Sequence, residues 1–168
     1  EIQASDWSSD VCSSDLGRNA MIILQILSAF SAVLVFTMIL EIPKKYMLYA
    51  SASGAVGWWA YLMVQNSGHS SMLAAFLSTL VVAFLSHILA RVKKAPVTVF
   101  LITGTLPAVP GAAIYRSVYY FLQNDSALAT KNLLETIQIA GAIAMGIFTM
   151  DSLFRLVLAY DRKKAEKG

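Results

Sequence analysis

Eight residues in this sequence have the type and spacing to do chemistry in an apolar setting. Seven fall in one stretch, VTVFLITGTLPAVPGAAIYRSVYYFL from Val97 to Leu122: Pro107, Pro110, Gly111, Ala112, Tyr115, Arg116 and Tyr119. The eighth is Asp151. The stretch is long enough to cross a bilayer, yet prolines interrupt it. Proline lacks a backbone donor and pushes the preceding residue out of the helical region, so breaks are expected at Leu106 and Val109. Two half-helices meeting there would leave unpaired carbonyls on the first and free N–H groups, those of Gly111 and Ala112, on the second. Backbone opened inside a membrane is tolerated only where it is buried in protein or lines a wet cavity. Such ends attract a cation on one side and an anion on the other, which suits a zwitterionic amino acid or a carboxylate. The competing reading is a kinked helix whose freed groups are satisfied by Thr103, Thr105 or a neighbouring helix.

Arg116 lies on the order of 7 to 8 Å beyond Gly111 along a helix. An unpaired arginine at that depth costs at least a few kcal/mol, so it meets an anion there or snorkels to the outer interface. Tyr115, Tyr119 and Tyr120 surround it with amphipathic rings. Asp151 and Arg155 stand four apart with the acid first, the favourable order for an intrahelical pair. Two readings stay open: a pair at the inner interface, or a carboxylate at Asp151 that carries a proton. His87 reads as an interfacial side chain beside Arg91. No second His, Cys or acid stands at metal-ligand spacing, so no metal is expected. No nucleotide-binding or hydrolytic signature is present, so neither a cofactor nor an enzyme activity is expected.

The elements that must hold these residues are apolar helices. Only 14% of the 168 residues are charged and the mean hydropathy is +0.62, too little polar surface to cover a soluble core. The single cysteine, Cys12, cannot close an internal disulfide. Residues 1–20 are polar, and WSSDVCSSDL resembles a translated sequencing-adapter fragment. They are expected to be a non-native or disordered extension, with Met21 as the native start. About 20 apolar residues span the hydrocarbon core, and five such segments follow at roughly 21–40, 46–64, 71–90, 97–122 and 134–158, before a basic tail at 161–168. The first has Gln25 as its most polar member. In the second, Ala50, Ser53, Gly54 and Gly57 share one helix face, and the last carries Gly141 and Gly146, both patterns that let membrane helices approach closely.

Nine bases (Lys44, Lys45, Arg91, Lys93, Lys94, Arg162, Lys163, Lys164, Lys167) would then share one side, against Lys131 on the other. The positive-inside bias puts the N-terminus outside and the C-terminus in the cytoplasm, whereas a re-entrant fourth segment would spread the bases more evenly. The bases follow topology and form no stripe for nucleic acid. The expected fold is an all-α integral membrane protein of five transmembrane helices, the fourth broken at Pro107–Gly111. An odd number of crossings is what one half of an inverted-repeat transporter requires.

From Met21 to about Ala159 the chain resembles the threonine/serine exporter family in the form of its small membrane subunit. The likeness rests on SGAVGWWAYL, on RVKKAPVTVF, and most specifically on LPAVPGAAIY with its P-x-x-P-G element at Pro107, Pro110 and Gly111. What the resemblance implies is a bacterial inner-membrane exporter of small hydrophilic metabolites, threonine/serine or a dicarboxylate such as succinate, driven by the proton motive force. It also implies a partner, a second five-span subunit with a cytoplasmic N-terminal domain. A structural subunit that assembles a partner and touches no substrate is the alternative.

Overall fold

The computed structural model describes residues 15–165, and every regular element among them is helical: α1 Asp15–Ile39, α2 Lys44–Asn66, α3 Ser71–Lys93, α4 Val97–Thr105, a 3-10 turn Leu106–Ala108, α5 Gly111–Leu122 and α6 Ser126–Ala165. Residues 1–14 of the expected extension and 166–168 of the expected tail lie outside the described residues. From Asp15 onward the backbone already belongs to α1.

The connections are short because the helices end sharply. Glu41, Lys94 and Asn124 take the left-handed conformation with φ of 53°, 52° and 61°. The residue that follows each donates to a carbonyl five positions back: Ile42 to Thr37, Ala95 to Ala90 and Asp125 to Tyr120, at 3.1, 3.0 and 3.0 Å. Each turn thus satisfies helix-end carbonyls without glycine at the left-handed position. After the first two, Pro43 and Pro96 cap the next helix.

Two expected boundaries move. The polar stretch after Asn124, between the segments expected at 97–122 and 134–158, forms the first two turns of α6. Asp125 Oδ1 accepts from Leu128 N at 3.1 Å and caps the helix. Thr130 Oγ1 and Asn132 Nδ2 donate to the carbonyls of Ser126 and Leu128 at 2.7 and 2.8 Å, so these polar side chains serve the helix they were expected to interrupt. At the other end α6 continues to Ala165, making 40 residues or about 60 Å of helix.

Three helices are long and apolar enough to cross a membrane, α1 from Ala20, α3, and α6 as far as Val157, and the bent pair α4 and α5 adds a fourth if it is taken as one span. The helix axes turn by 50° at the break, so the chain changes tilt there without reversing. α2 falls short in apolarity because it is the hub, packed against α1, α3, α4 and the 3-10 turn. Its buried residues are Ala50, Ser51, Ser53, Gly54, Gly57 and Leu62, nearly all small.

Close approach at these small residues sets the core. Val33 of α1 and Val82 of α3 are each 1% exposed. A Cβ on Gly54 would stand 2.8 Å from Val33 Cγ2, and one on Gly57 would overlap Val82 Cγ2 outright. Gly104 of α4 completes the arrangement, since a Cβ there would lie 2.6 Å from Val82 Cγ1 and 2.8 Å from Ser53 Oγ. Ser78 Oγ donates to Gly57 O at 2.7 Å across the same contact. Buried hydroxyls elsewhere in the core, those of Thr79, Ser86 and Thr103, bond carbonyls of the preceding turn at 2.6 to 2.7 Å.

Gly146 packs more loosely, with a Cβ position 3.1 Å from Thr79 Cβ, and Gly141 is exposed with nothing within 4 Å. The packing face on α6 therefore runs through Ala142 and Gly146, whereas Gly141 lies at the rim of the groove that α6 forms with Met72, Leu73 and Phe76 of α3, with no atom close to its Cβ position. Overpacking a filled core costs about 1 to 3 kcal/mol. Gly57→Ala and Gly104→Ala should lower the thermal midpoint of the detergent-purified protein by several degrees, while Gly141→Ala leaves it unchanged; equal effects at all three would contradict the packing described.

Candidate functional site

At the break, the groups expected to be free are only partly so. Val109 N donates to Leu106 O at 3.2 Å and Gly111 N to Val109 O at 2.8 Å. A tight turn at Pro110 thereby consumes the Gly111 donor that sequence reasoning left open. The first backbone bond of α5 runs from Ile114 N to Pro110 O at 3.1 Å, so Ala112 and Ala113 keep N–H groups with no acceptor among the described residues. On the α4 side, Thr105 Oγ1 lies 3.0 and 3.1 Å from the carbonyls of Leu101 and Ile102. Its hydroxyl is spent within α4 and does not bridge the break.

The 3-10 turn faces a groove of about 400 Å³ between α1 and α2, where Leu106 and Pro107 meet Gln25, Ser28, Phe36 and Trp58. Gln25 and Ser28 bring the polar atoms on the α1 wall, with Ser28 Oγ donating to Gln25 O at 2.8 Å. Trp58 stacks on Tyr61 with centroids 5.0 Å apart. Of the residues expected to bind substrate, Pro107 alone lines this groove.

The others leave with α5. Among the described residues α5 packs against α6 alone, and the polar tie between them is Ser117 Oγ donating to Ala129 O at 3.1 Å. Gly111, Ala112, Tyr115, Arg116 and Tyr119 are all exposed, Tyr115 at 69%. Tyr115 and Tyr119 lie one turn apart with ring centroids at 6.2 Å. Arg116 makes no ion pair among the described residues. Being next to Ser117, it stands level with the first turns of α6.

Asp151 is elsewhere. It lies about 33 Å along α6 from Ala129 at 1.5 Å per residue, so it does not join Arg116 in one cavity. Arg155 Nε donates to its Oδ2 at 2.8 Å, and His87 Nε2 of α3 comes within 3.7 Å of its Oδ1. The pairing with His87 was invisible in the sequence, where neither residue stands at a recognisable distance from the other. Gly104 was missed too; it sits between two threonines that carry no packing signal. Gln25 was legible as the one amide in an apolar run, although its nearness to Pro107 was not.

Comparison with known proteins bears on this arrangement. The family described as "Threonine/Serine exporter, ThrE" matches residues 25–153. A "Threonine/serine exporter" of Corynebacterium glutamicum is 32% identical over 87 residues, 52% of this chain and 17% of the relative. A "Probable threonine/serine exporter" of Mycobacterium tuberculosis is 26% identical over 106 residues, 62% of this chain and 20% of the relative. The chain thus spans about a fifth or less of the length of these curated relatives. No solved structure matches it.

The attachment of α5 makes a prediction of its own. An interhelical hydroxyl bond in a membrane contributes about 0.6 to 2 kcal/mol. Ser117→Ala should speed amide exchange across α5 by roughly threefold or more, with the amides of α2 to α4 unaffected. Uniform exchange in both regions would show that α5 is held by something else.

Proposed function

The chain belongs to the threonine/serine exporter family, and from that premise we propose that it forms one membrane half of a secondary exporter of small hydrophilic metabolites in the bacterial inner membrane. The substrate class is threonine/serine or a dicarboxylate such as succinate, and the driving force is the proton motive force. The observation that carries this reading is the broken segment. Its 3-10 turn opens on a groove with polar atoms, and its second helix carries Arg116, without an ion pair among the described residues, beside Tyr115 and Tyr119 on a side that no other described residue covers.

On this proposal α1, α2, α3, the α4–α5 pair and α6 make five crossings, with the N-terminus outside. Two features support it. A 50° bend lets α4 and α5 continue through the bilayer as one crossing, where a re-entrant loop needs reversal. Lys44, Lys45, Arg91, Lys93 and Lys94 also fall at or beside the helix ends that this topology places in the cytoplasm. Five crossings make the chain the inverted counterpart of a second five-span subunit, one with a cytoplasmic N-terminal domain.

Within that complex the partner would lie against α5 and close the site. The Ala112 N–H at the start of α5 and the Arg116 guanidinium would take the substrate carboxylate, with Tyr115 and Tyr119 as walls and Pro107, Pro110 and Gly111 holding the break. Asp151 would carry the coupled proton. The scaffold alternative draws on the glycine contacts of α2, α3 and α4, which any stable subunit needs, and under it Pro107 and Arg116 are replaceable.

The test is efflux of labelled threonine and of labelled succinate from cells expressing both subunits. Arg116→Ala should cut the initial rate at least about tenfold, the equivalent of ~1.4 kcal/mol, while the two subunits still copurify. An unchanged rate with an intact complex would favour the scaffold.

A further inference from the structure

Where α6 lies on α3, a second cluster holds ionisable groups that the packing does not require. Phe154 of α6 stacks on His87 of α3 with centroids 4.3 Å apart and planes 10° from parallel. The same phenyl ring meets Phe84 at 5.9 Å and the Arg91 guanidinium at 5.6 Å. His87 is 13% exposed at its side chain, and Asp151 43%. Asp151 divides its two oxygens: Oδ2 accepts from Arg155 Nε at 2.8 Å, while Oδ1 faces His87 Nε2 at 3.7 Å. That separation is about 1 Å longer than a charge-assisted hydrogen bond, an ion-pair distance between the two helices.

We infer that His87 and Asp151 form a shared proton-binding site between α3 and α6. With the imidazole protonated, both ring nitrogens are donors, and His87 bonds Asp151 Oδ1 while its charge rests on the Phe154 face. The ion pair then crosses from α3 to α6 and ties the two helices. When the proton leaves, no cation on α3 holds Oδ1, and Asp151 remains paired within α6 to Arg155. The remaining charged neighbours do not replace it. Arg91 lies over Phe154, close enough for its charge to act on His87, and makes no ion pair with Asp151; on α2, Lys45 lies over Tyr46 and Tyr49 is engaged by Lys93 at 2.8 Å; and α4, VTVFLITGT, has no ionisable side chain.

The site matters for function because α6 is the helix that carries α5. Among the described residues α6 touches only α3 and α5, so a tie between His87 and Asp151 fixes α6, and through it α5, to the α1–α4 body. Its role in coupling rests on the exporter reading, and it gives the proton an acceptor pair where that reading had Asp151 alone.

The full chain contains two histidines, and His69 in the α2–α3 turn is an internal control. Proton NMR of the imidazole signals, followed through pH 5 to 8.5 in micelles without any transported substrate, reads the site directly. Loss of a facing carboxylate lowers a histidine midpoint, so Asp151→Asn should move His87 down by roughly half a pH unit or more and leave His69 in place. Arg155→Gln removes the competing cation and should move His87 up, which keeps the test alive where Asp151→Asn does not fold. If His87 holds its midpoint in the variants, or moves only together with His69, the shared site is overturned. Export can fail while this titration holds, and the reverse, so the two readings fall separately.

Discussion

The structure depends on one close contact: Val82 of α3 seated against two helices that have no Cβ at that point, α2 at Gly57 and α4 at Gly104. In lipid the apolar effect gives helices no reason to prefer one another over acyl chains, so van der Waals fit and hydrogen bonds decide which surfaces meet. Here both are used at one place, since Ser78 bonds the Gly57 carbonyl beside the valine. A methyl group at either glycine would push α2 or α4 away from α3. Because α4 is pinned there, just before the 3-10 turn, the break at Pro107 sits on a fixed base and the groove with Gln25 and Trp58 keeps its walls.

The same contact divides the molecule. α1 to α4 form a body with a glycine-based core, whereas among the described residues α5 and α6 pack against it only where α6 crosses α3. That crossing carries Gly146 against Thr79 and, about two turns on, the cluster of His87, Asp151 and Phe154. The division falls at the proline break, where backbone hydrogen bonding is already interrupted and a change of angle costs least.

Helix identity was legible from apolar runs, and the break from its prolines, because both follow from the covalent chemistry of the residues concerned. Placement was not. The sequence of α5 shows Arg116 one and a half turns past Gly111. That it stands level with the first turns of α6, through the Ser117 contact with Ala129, is tertiary information that the spacing does not hold. The Gly111 donor was expected to face a ligand and is closed by Val109, a matter of local turn geometry that proline spacing does not specify. Polar residues after Asn124 suggested a loop, yet Thr130 and Asn132 bond their own helix. Gly141 and Gly146 look alike in sequence, and only the rotation of α6 about its axis separates the exposed one from the packed one. His87 and Asp151 meet through tertiary packing that no spacing rule reports.

The central claim is that the outer side of α5 is an interface completed by a second subunit. Thiol labelling tests it most directly. In a Cys12→Ser background carrying Tyr115→Cys, a membrane-impermeant maleimide is applied to cells expressing the chain with and without its partner. The account predicts labelling of the chain alone and protection when the partner is present and copurifies. Equal labelling in both, with the complex intact, would contradict it.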